Sequence, residues 1–336
     1  MPGYKINECN ISCLAFADDL ILTANSPNDA QKLLQVVETF LRDHGMKLSL
    51  QKCVSFQVEP TRDSFYVQDA NIFANNREPI PNADAESKIR YLGMDISPWC
   101  GIDIKQMRGE VRSMLKWVKC LALKLHQKIE LLSGYLVPHY LFRILHGGAP
   151  TSTIRGLDDD FRVAVKEILY LPLSTVDGMI YTRKRDGGLG FPRLEVTAIA
   201  SSHKSGMRFL ESPDPAIRAL AAGTGLRERL RRQACVNRIN WPILDTKTID
   251  RWKIEAKRQE LRSWGASKTQ GKAAKSLADD PISNCWLYNP TLLKPCRYLM
   301  ALKIRSNTCV NKVALNRAVL QHDLTKTVNV VCCPRR

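Results

Sequence analysis

Asp18 and Asp19 are adjacent carboxylates between two apolar stretches, Ile11–Phe16 and Leu20–Thr23. A segment as short as Ala17-Asp18-Asp19 between such stretches reads as a hairpin turn. Aspartate is a common turn residue, so an ordinary structural turn is one reading of the pair. The other is chemical. Two carboxylates held this close raise each other's pKa unless a cation lies between them, and magnesium is the cation suited to such oxygens. Paired magnesium ions a few ångströms apart serve nucleotidyl transfer by activating a hydroxyl and stabilising the leaving phosphate.

The surrounding elements read as follows. Ser26 can cap a helix whose first position is Pro27, with Asp29 completing a capping box. Leu33, Leu34, Val37, Phe40 and Leu41 fall on one face, and Gly45 ends the helix. Residues 53–96 read as short strands and loops, with a hairpin around Tyr91–Ile96. From Ile104 the period becomes helical: Ile104, Met107, Val111, Met114, Val118, Leu121, Leu125 and Ile129 form one apolar stripe. Lys105, Arg108, Arg112, Lys116 and Lys119 run beside it. That basic edge is either a solvated face or a row of phosphate contacts. Gly147-Gly148-Ala149-Pro150 marks a boundary, after which the chain reads as mostly helical. Asp186-Gly187-Gly188-Leu189-Gly190 could cradle a phosphate, but without a strand leading into a helix it reads as a structural turn.

The chain has 336 residues and a net charge of +17, which favours a polyanionic partner. Residues 1–50 carry four Lys/Arg against six Asp/Glu, whereas residues 221–275 carry fourteen against five. An acidic front and a basic back suit a metal site beside a phosphate-binding surface. No run of 18 apolar residues exists to span a membrane and no signal segment opens the chain. An intracellular protein that does not bind membranes is expected. The eleven cysteines show no disulfide framework. His126, His139 and His146 read as structural or exposed. Trp117, Trp252 and Trp264 read as core residues, with base stacking as the alternative.

Phe16-Ala17-Asp18-Asp19-Leu20-Ile21-Leu22 resembles the catalytic hairpin, motif C, of reverse transcriptases, in the form found in non-LTR retrotransposons. The helix after it and Gly45-Met46-Lys47-Leu48-Ser49-Leu50-Gln51-Lys52 resemble motif D, and Tyr91-Leu92-Gly93 resembles motif E. The helices of 104–146 resemble the thumb. Leu157-Asp158 to Leu171-Pro172, and Asp186 to Pro192, resemble the linker of site-specific non-LTR elements that carry a restriction-like endonuclease and insert into ribosomal DNA. Leu302–Asn307 and Asn316-Arg317 resemble the approach to a zinc knuckle, which would begin at Cys332-Cys333.

The resemblance implies an α+β fold: a partial palm over 1–100, a thumb over 101–148, a mostly helical linker over 149–330 and the start of a knuckle over 331–336. It implies an RNA-directed DNA polymerase, with Asp18 and Asp19 as catalytic magnesium ligands and Lys52 at the nucleotide phosphates. Tyr91, Leu92 and Gly93 would seat the primer. Lys105, Arg108, Arg112, Lys116 and Lys119 would hold nucleic acid. The partners would be an RNA template, a DNA primer or target DNA, and deoxynucleoside triphosphates, with the nucleus as the expected place. The third carboxylate of the palm, on motif A, is expected upstream of residue 1. The alternative is therefore a catalytically inactive nucleic-acid-binding remnant. Zinc is not expected at Cys332-Cys333, where four suitably spaced ligands are lacking, and no DNA nicking is expected.

Overall fold

The computed structural model describes residues 2–74, 77–242 and 245–309. Asn316-Arg317 and the Cys332-Cys333 pair lie outside these residues. The fold is α+β: the described residues form nine short strands, with one long helix among them, and then a long helical region. No described helix is long and apolar enough to cross a membrane.

The chain forms two compact units, each assembled from several stretches. Of the described residues, the first takes those within 2–121, 130–161 and 192–256, and the second those within 122–129, 162–191 and 257–309.

In the first unit, β1 (Tyr4–Ile6) pairs with β2 (Cys9–Ile11), and β3 (Cys13–Phe16) pairs with β4 (Asp19–Leu22). Helix α1 (Pro27–Asp43) follows, capped as expected: the Ser26 hydroxyl accepts from the Asp29 amide at 3.2 Å. Its buried face differs from expectation. Leu34 and Glu38 are buried, whereas Phe40 lies outside and makes a tilted ring contact with His44 at 4.2 Å between centroids. Strands β5 (Gln57–Pro60) and β6 (Phe65–Gln68) pair with each other, as do β7 (Ile89–Tyr91), β8 (Met94–Ser97) and β9 (Gly101–Ile102). The described strands thus form four separate small sheets, so no continuous ladder joins the elements expected of one palm.

Helix α2 (Met107–Cys120) buries Met107, Val111, Leu115 and Val118. The expected stripe continued through Leu121 to Ile129. The helix instead stops where Leu121 turns extended, at ψ 143°, and Met114 stays at the surface while Leu115 is buried. Next come α3 (Leu125–Leu131), one π-helical turn at Leu132–Leu136, α4 (Val137–His146) and α5 (Thr151–Ile168). Further along, α7 (Leu194–Leu210), α8 (Pro215–Gly223) and α9 (Leu226–Val236) follow the short helix α6 (Asp177–Tyr181). Ile199, Ala200, Met207, Ala234, Ile239 and Ile249 form one core cluster of the first unit, with Trp241 and Trp252 packed against it.

The second unit contains α6 and takes in parts of α10 (Thr246–Ala266), with α11 (Gly271–Leu277), α12 (Pro281–Tyr288) and α13 (Pro295–Arg305). Trp264 is fully buried there and its indole N–H donates to the Gln270 carbonyl at 3.0 Å. Trp117 departs from the core reading, being 54% exposed on α2.

Candidate nucleotidyl-transfer and nucleic-acid-binding site

Strands β3 and β4 pair in register Cys13↔Leu22 to Phe16↔Asp19, which leaves Ala17 and Asp18 as a two-residue turn. Both aspartates are exposed. Ala17 has φ +52°, a conformation that glycine adopts freely and alanine only at a cost of roughly 1 kcal/mol. The turn therefore keeps a local strain beside the two carboxylates. Phe16 is 63% exposed, and Leu14 and Leu20 are also at the surface. Among the described residues, no third His, Cys, Asp or Glu joins the pair in a cluster able to hold a metal. Two hard oxygen donors suit magnesium, which keeps several waters and takes its remaining ligands from substrate phosphates.

The inner end of the hairpin is fixed by packing. Leu22 of β4, Ala30 of α1 and Leu50 all lie against the cluster of Leu34, Ala70, Ile72 and Ile80. Leu50 begins the 3-10 turn that ends on the exposed Lys52. One apolar cluster therefore supports the aspartate hairpin and the backbone that carries Lys52. Next to Lys52, burial, with Glu38 adding, pushes the Cys53 thiol above its ordinary pKa.

Tyr91, Leu92 and Gly93 form a second hairpin, with Tyr91 paired to Met94. Leu92 and Gly93 have φ +47° and +78°, the two positive values of a type I′ turn. Across this hairpin Arg90 reaches Asp95 at 2.8 Å, and that hydrogen bond holds the Asp95 carboxyl below the usual range. The structure thus brings Asp18 and Asp19 into one hairpin, and Tyr91, Leu92 and Gly93 into another, on different sheets.

The basic edge of α2 is partly consumed inside the unit. Arg108 Nε donates to Asp160 at 2.7 Å and Arg112 Nη2 to the same carboxylate at 3.1 Å. Arg108 also donates to the Gly156 carbonyl at 3.2 Å. A Cβ at Gly156 would lie 3.0 Å from the guanidinium carbon, so a larger residue here would shift the guanidinium by a few tenths of an ångström. Burial works to raise the Asp160 pKa, but the two guanidiniums outweigh it and the carboxyl is held low. Lys105 and Lys116 remain exposed, and Lys119 is half-buried. Arg108 and Arg112 therefore act first as ties between α2 and α5. Sequence reasoning missed Asp160 because its partners are about 50 residues away; the run Asp158-Asp159-Asp160 on an amphipathic helix was the available signal. Asp158 is likewise structural: it accepts from the Leu194 amide at 2.8 Å, at the start of α7.

The glycine cluster at 187–190 is not a phosphate cradle. The amides of Gly187, Gly188, Leu189, Gly190 and Phe191 donate to Lys184, Arg183, Met179, Thr182 and Ile180 carbonyls at 2.8–3.1 Å. None of these amides is left over for an anion.

A hairpin presenting adjacent aspartates, a capped helix, a lysine-bearing turn and a second tight hairpin follow one another in this order. Residues 4–96 match the reverse transcriptase (RNA-dependent DNA polymerase) family. That family acts on nucleic acid and generally uses a divalent metal, typically magnesium.

The chain is homologous over most of its length to R2 non-LTR retrotransposon Pol polyproteins. It is 28% identical over 291 residues to the Retrovirus-related Pol polyprotein from type-1 retrotransposable element R2 of Popillia japonica, covering 85% of this chain. The polyprotein from type-2 element R2DM of Drosophila melanogaster is 23% identical over 98% of this chain, and that of Nasonia vitripennis R2 is 26% identical over 57%. The chain spans 38%, 30% and 19% of the lengths of these three relatives.

Proposed function

We propose that this chain contributes the motif C hairpin and the nucleic-acid grip of an RNA-directed DNA polymerase. The observation that carries this is the exposed Asp18-Asp19 turn, set on a strained Ala17 and anchored through Leu22, inside the segment that matches the family. Asp18 and Asp19 supply two of the carboxylate ligands for magnesium, which when bound stabilises charge on the reacting phosphates. Lys52 lies on the same packed base and meets the nucleotide phosphates. The Tyr91-Leu92-Gly93 turn seats the primer end. Lys105, Lys116 and Lys119 contact an RNA template paired with a DNA primer or target DNA, while Arg108 and Arg112 contribute mainly by holding α2. Deoxynucleoside triphosphates are the substrates and the nucleus is the place of action.

Because two carboxylates alone meet at the described hairpin, a second reading stands beside this one: an inactive nucleic-acid-binding protein. Primer extension on an RNA template with magnesium separates them. Extension that vanishes in Asp18→Ala/Asp19→Ala supports the polymerase. Folded protein that binds the template–primer but never extends it supports the second reading and sinks the first for this chain.

A further inference from the structure

Helix α9 differs from α2 in how its cations are used. Its sequence from Leu226 to Val236 carries four arginines and no lysine. Leu226, Leu230 and Ala234 form its buried face, at steps of four. Arg227, Arg229, Arg231 and Arg232 lie on the exposed side, and Arg238 follows just past the helix end. Arg231 pairs with Glu228, the one acid on the helix, at 3.7 Å. Arg227, Arg229, Arg232 and Arg238 have no ion-pair partner among the described residues. On α2 the arginines are bound to Asp160; on α9 Arg227, Arg229 and Arg232, with Arg238 just beyond the helix, face solvent.

The backbone adds an independent observation. Past Asn237, the Arg238 amide donates to the Cys235 carbonyl at 3.2 Å and the Ile239 amide to the Ala234 carbonyl at 2.9 Å. This is a Schellman closure, whose left-handed position usually holds glycine. Here it holds Arg238, at φ +54°. A side chain kept at a conformational cost, at the edge of an arginine face, points to a use for that side chain.

We propose that the outer face of α9 is a docking surface for folded RNA, with Arg227, Arg229, Arg232 and Arg238 as its contacts. This deepens the nucleic-acid reading above and rests on it. The charge complements a phosphate backbone, and arginine, unlike lysine, binds phosphate in a bidentate fork and stacks on unpaired bases. Apolar residues on the opposite side lock the helix into the core, so the cations are displayed on a rigid element.

The test measures binding of a labelled RNA hairpin with an unpaired loop, using the full chain, across 50–200 mM salt. Each neutralised phosphate contact removes about 0.7–0.9 from the slope of log K against log salt. Arg227→Gln/Arg229→Gln/Arg232→Gln/Arg238→Gln is expected to lower the slope by about 3 and to weaken binding at least about tenfold at 100 mM salt. The same substitutions should cost less on a DNA duplex of equal length. Arg238→Gly serves if the fourfold variant misfolds: its Tm should match or exceed the parent's while RNA affinity falls. An unchanged slope, or unchanged RNA affinity in Arg238→Gly, overturns the proposal; an equal or larger loss on DNA overturns the assignment to RNA. Asp18→Ala/Asp19→Ala protein should keep the full slope, so a failed polymerase reading leaves this result separately readable.

Discussion

Arg305 Nη1 donates to the Gly187 carbonyl oxygen at 2.7 Å, across 118 residues of sequence. The same guanidinium reaches Asn284 Oδ1 at 2.9 Å and the Ser283 carbonyl at 3.1 Å, and lies over the Trp286 ring, 4.8 Å from its centroid. Gly187 in turn adopts φ +87°, and a Cβ on the neighbouring Gly188 would collide with Thr182. The glycine turn and the last described helix are thus parts of one buried knot. Burial pulls the Arg305 pKa down to about 10, with Asp280 acting the other way, so the group stays charged at neutral pH.

Arg305→Lys keeps the charge but loses the planar fork, leaving the Gly187 carbonyl or Asn284 underserved. The expected loss is about 2–3 kcal/mol in urea unfolding. A change below about 0.5 kcal/mol would mean the knot does not hold the second unit together. RNA binding by surviving folded protein should be unchanged, since Arg305 is buried.

Asp160 should make stability depend on acid. Its carboxyl is held low by Arg108 and Arg112, so the folded state resists protonation more than the unfolded state does. The contribution is full above the ordinary aspartate pKa of about 4 and is lost as pH falls through the depressed folded value. Asp160→Asn should cost about 1–2 kcal/mol at pH 7, a figure discounted because both arginines are about half exposed. The variant's stability should then fall less steeply below pH 4. Parallel acid-unfolding curves for parent and variant would refute the linkage.

Features set by neighbours in sequence were legible in it. Ser26, Pro27 and Gly45 delimit α1 because caps act over three or four residues, and Tyr91–Met94 closes as a tight hairpin for the same reason. The Asp18-Asp19 turn belongs to this group. Features set by distant partners were not. The apolar stripe through Leu121 and Leu125 continued in the sequence, but the helix stops at Cys120. Glu38 is buried where Phe40 was expected, and Trp117 is left outside. Arg108 and Arg112 looked like an open cationic edge until Asp160 claimed them, whereas the arginines of α9 stood out only as composition.

Ala17 offers a test of strain at the aspartate turn. Ala17→Gly should relieve the left-handed conformation, with part of the gain of roughly 1 kcal/mol offset by a freer unfolded chain. The net expectation is a rise of about 0.5 kcal/mol in denaturant unfolding. A decrease would show that the alanine methyl contributes packing that its exposed position does not suggest.

Magnesium should stabilise the folded protein through Asp18 and Asp19, with no substrate present. A ligand that binds only the folded state adds RT ln(1 + [L]/Kd), so 10 mM magnesium acting on a site of about 1 mM Kd contributes about 1.4 kcal/mol. Asp18→Asn/Asp19→Asn keeps the shape of both side chains and removes both charges. It should abolish the magnesium-dependent rise in Tm while matching or exceeding the parent's Tm in metal-free buffer, because two exposed like charges no longer repel. Calcium, which accepts similar oxygens but prefers more of them, should shift Tm less at a site offering only two carboxylates. A magnesium response that survives in the double variant would place the metal elsewhere on the chain and remove the aspartate turn as the reason for it.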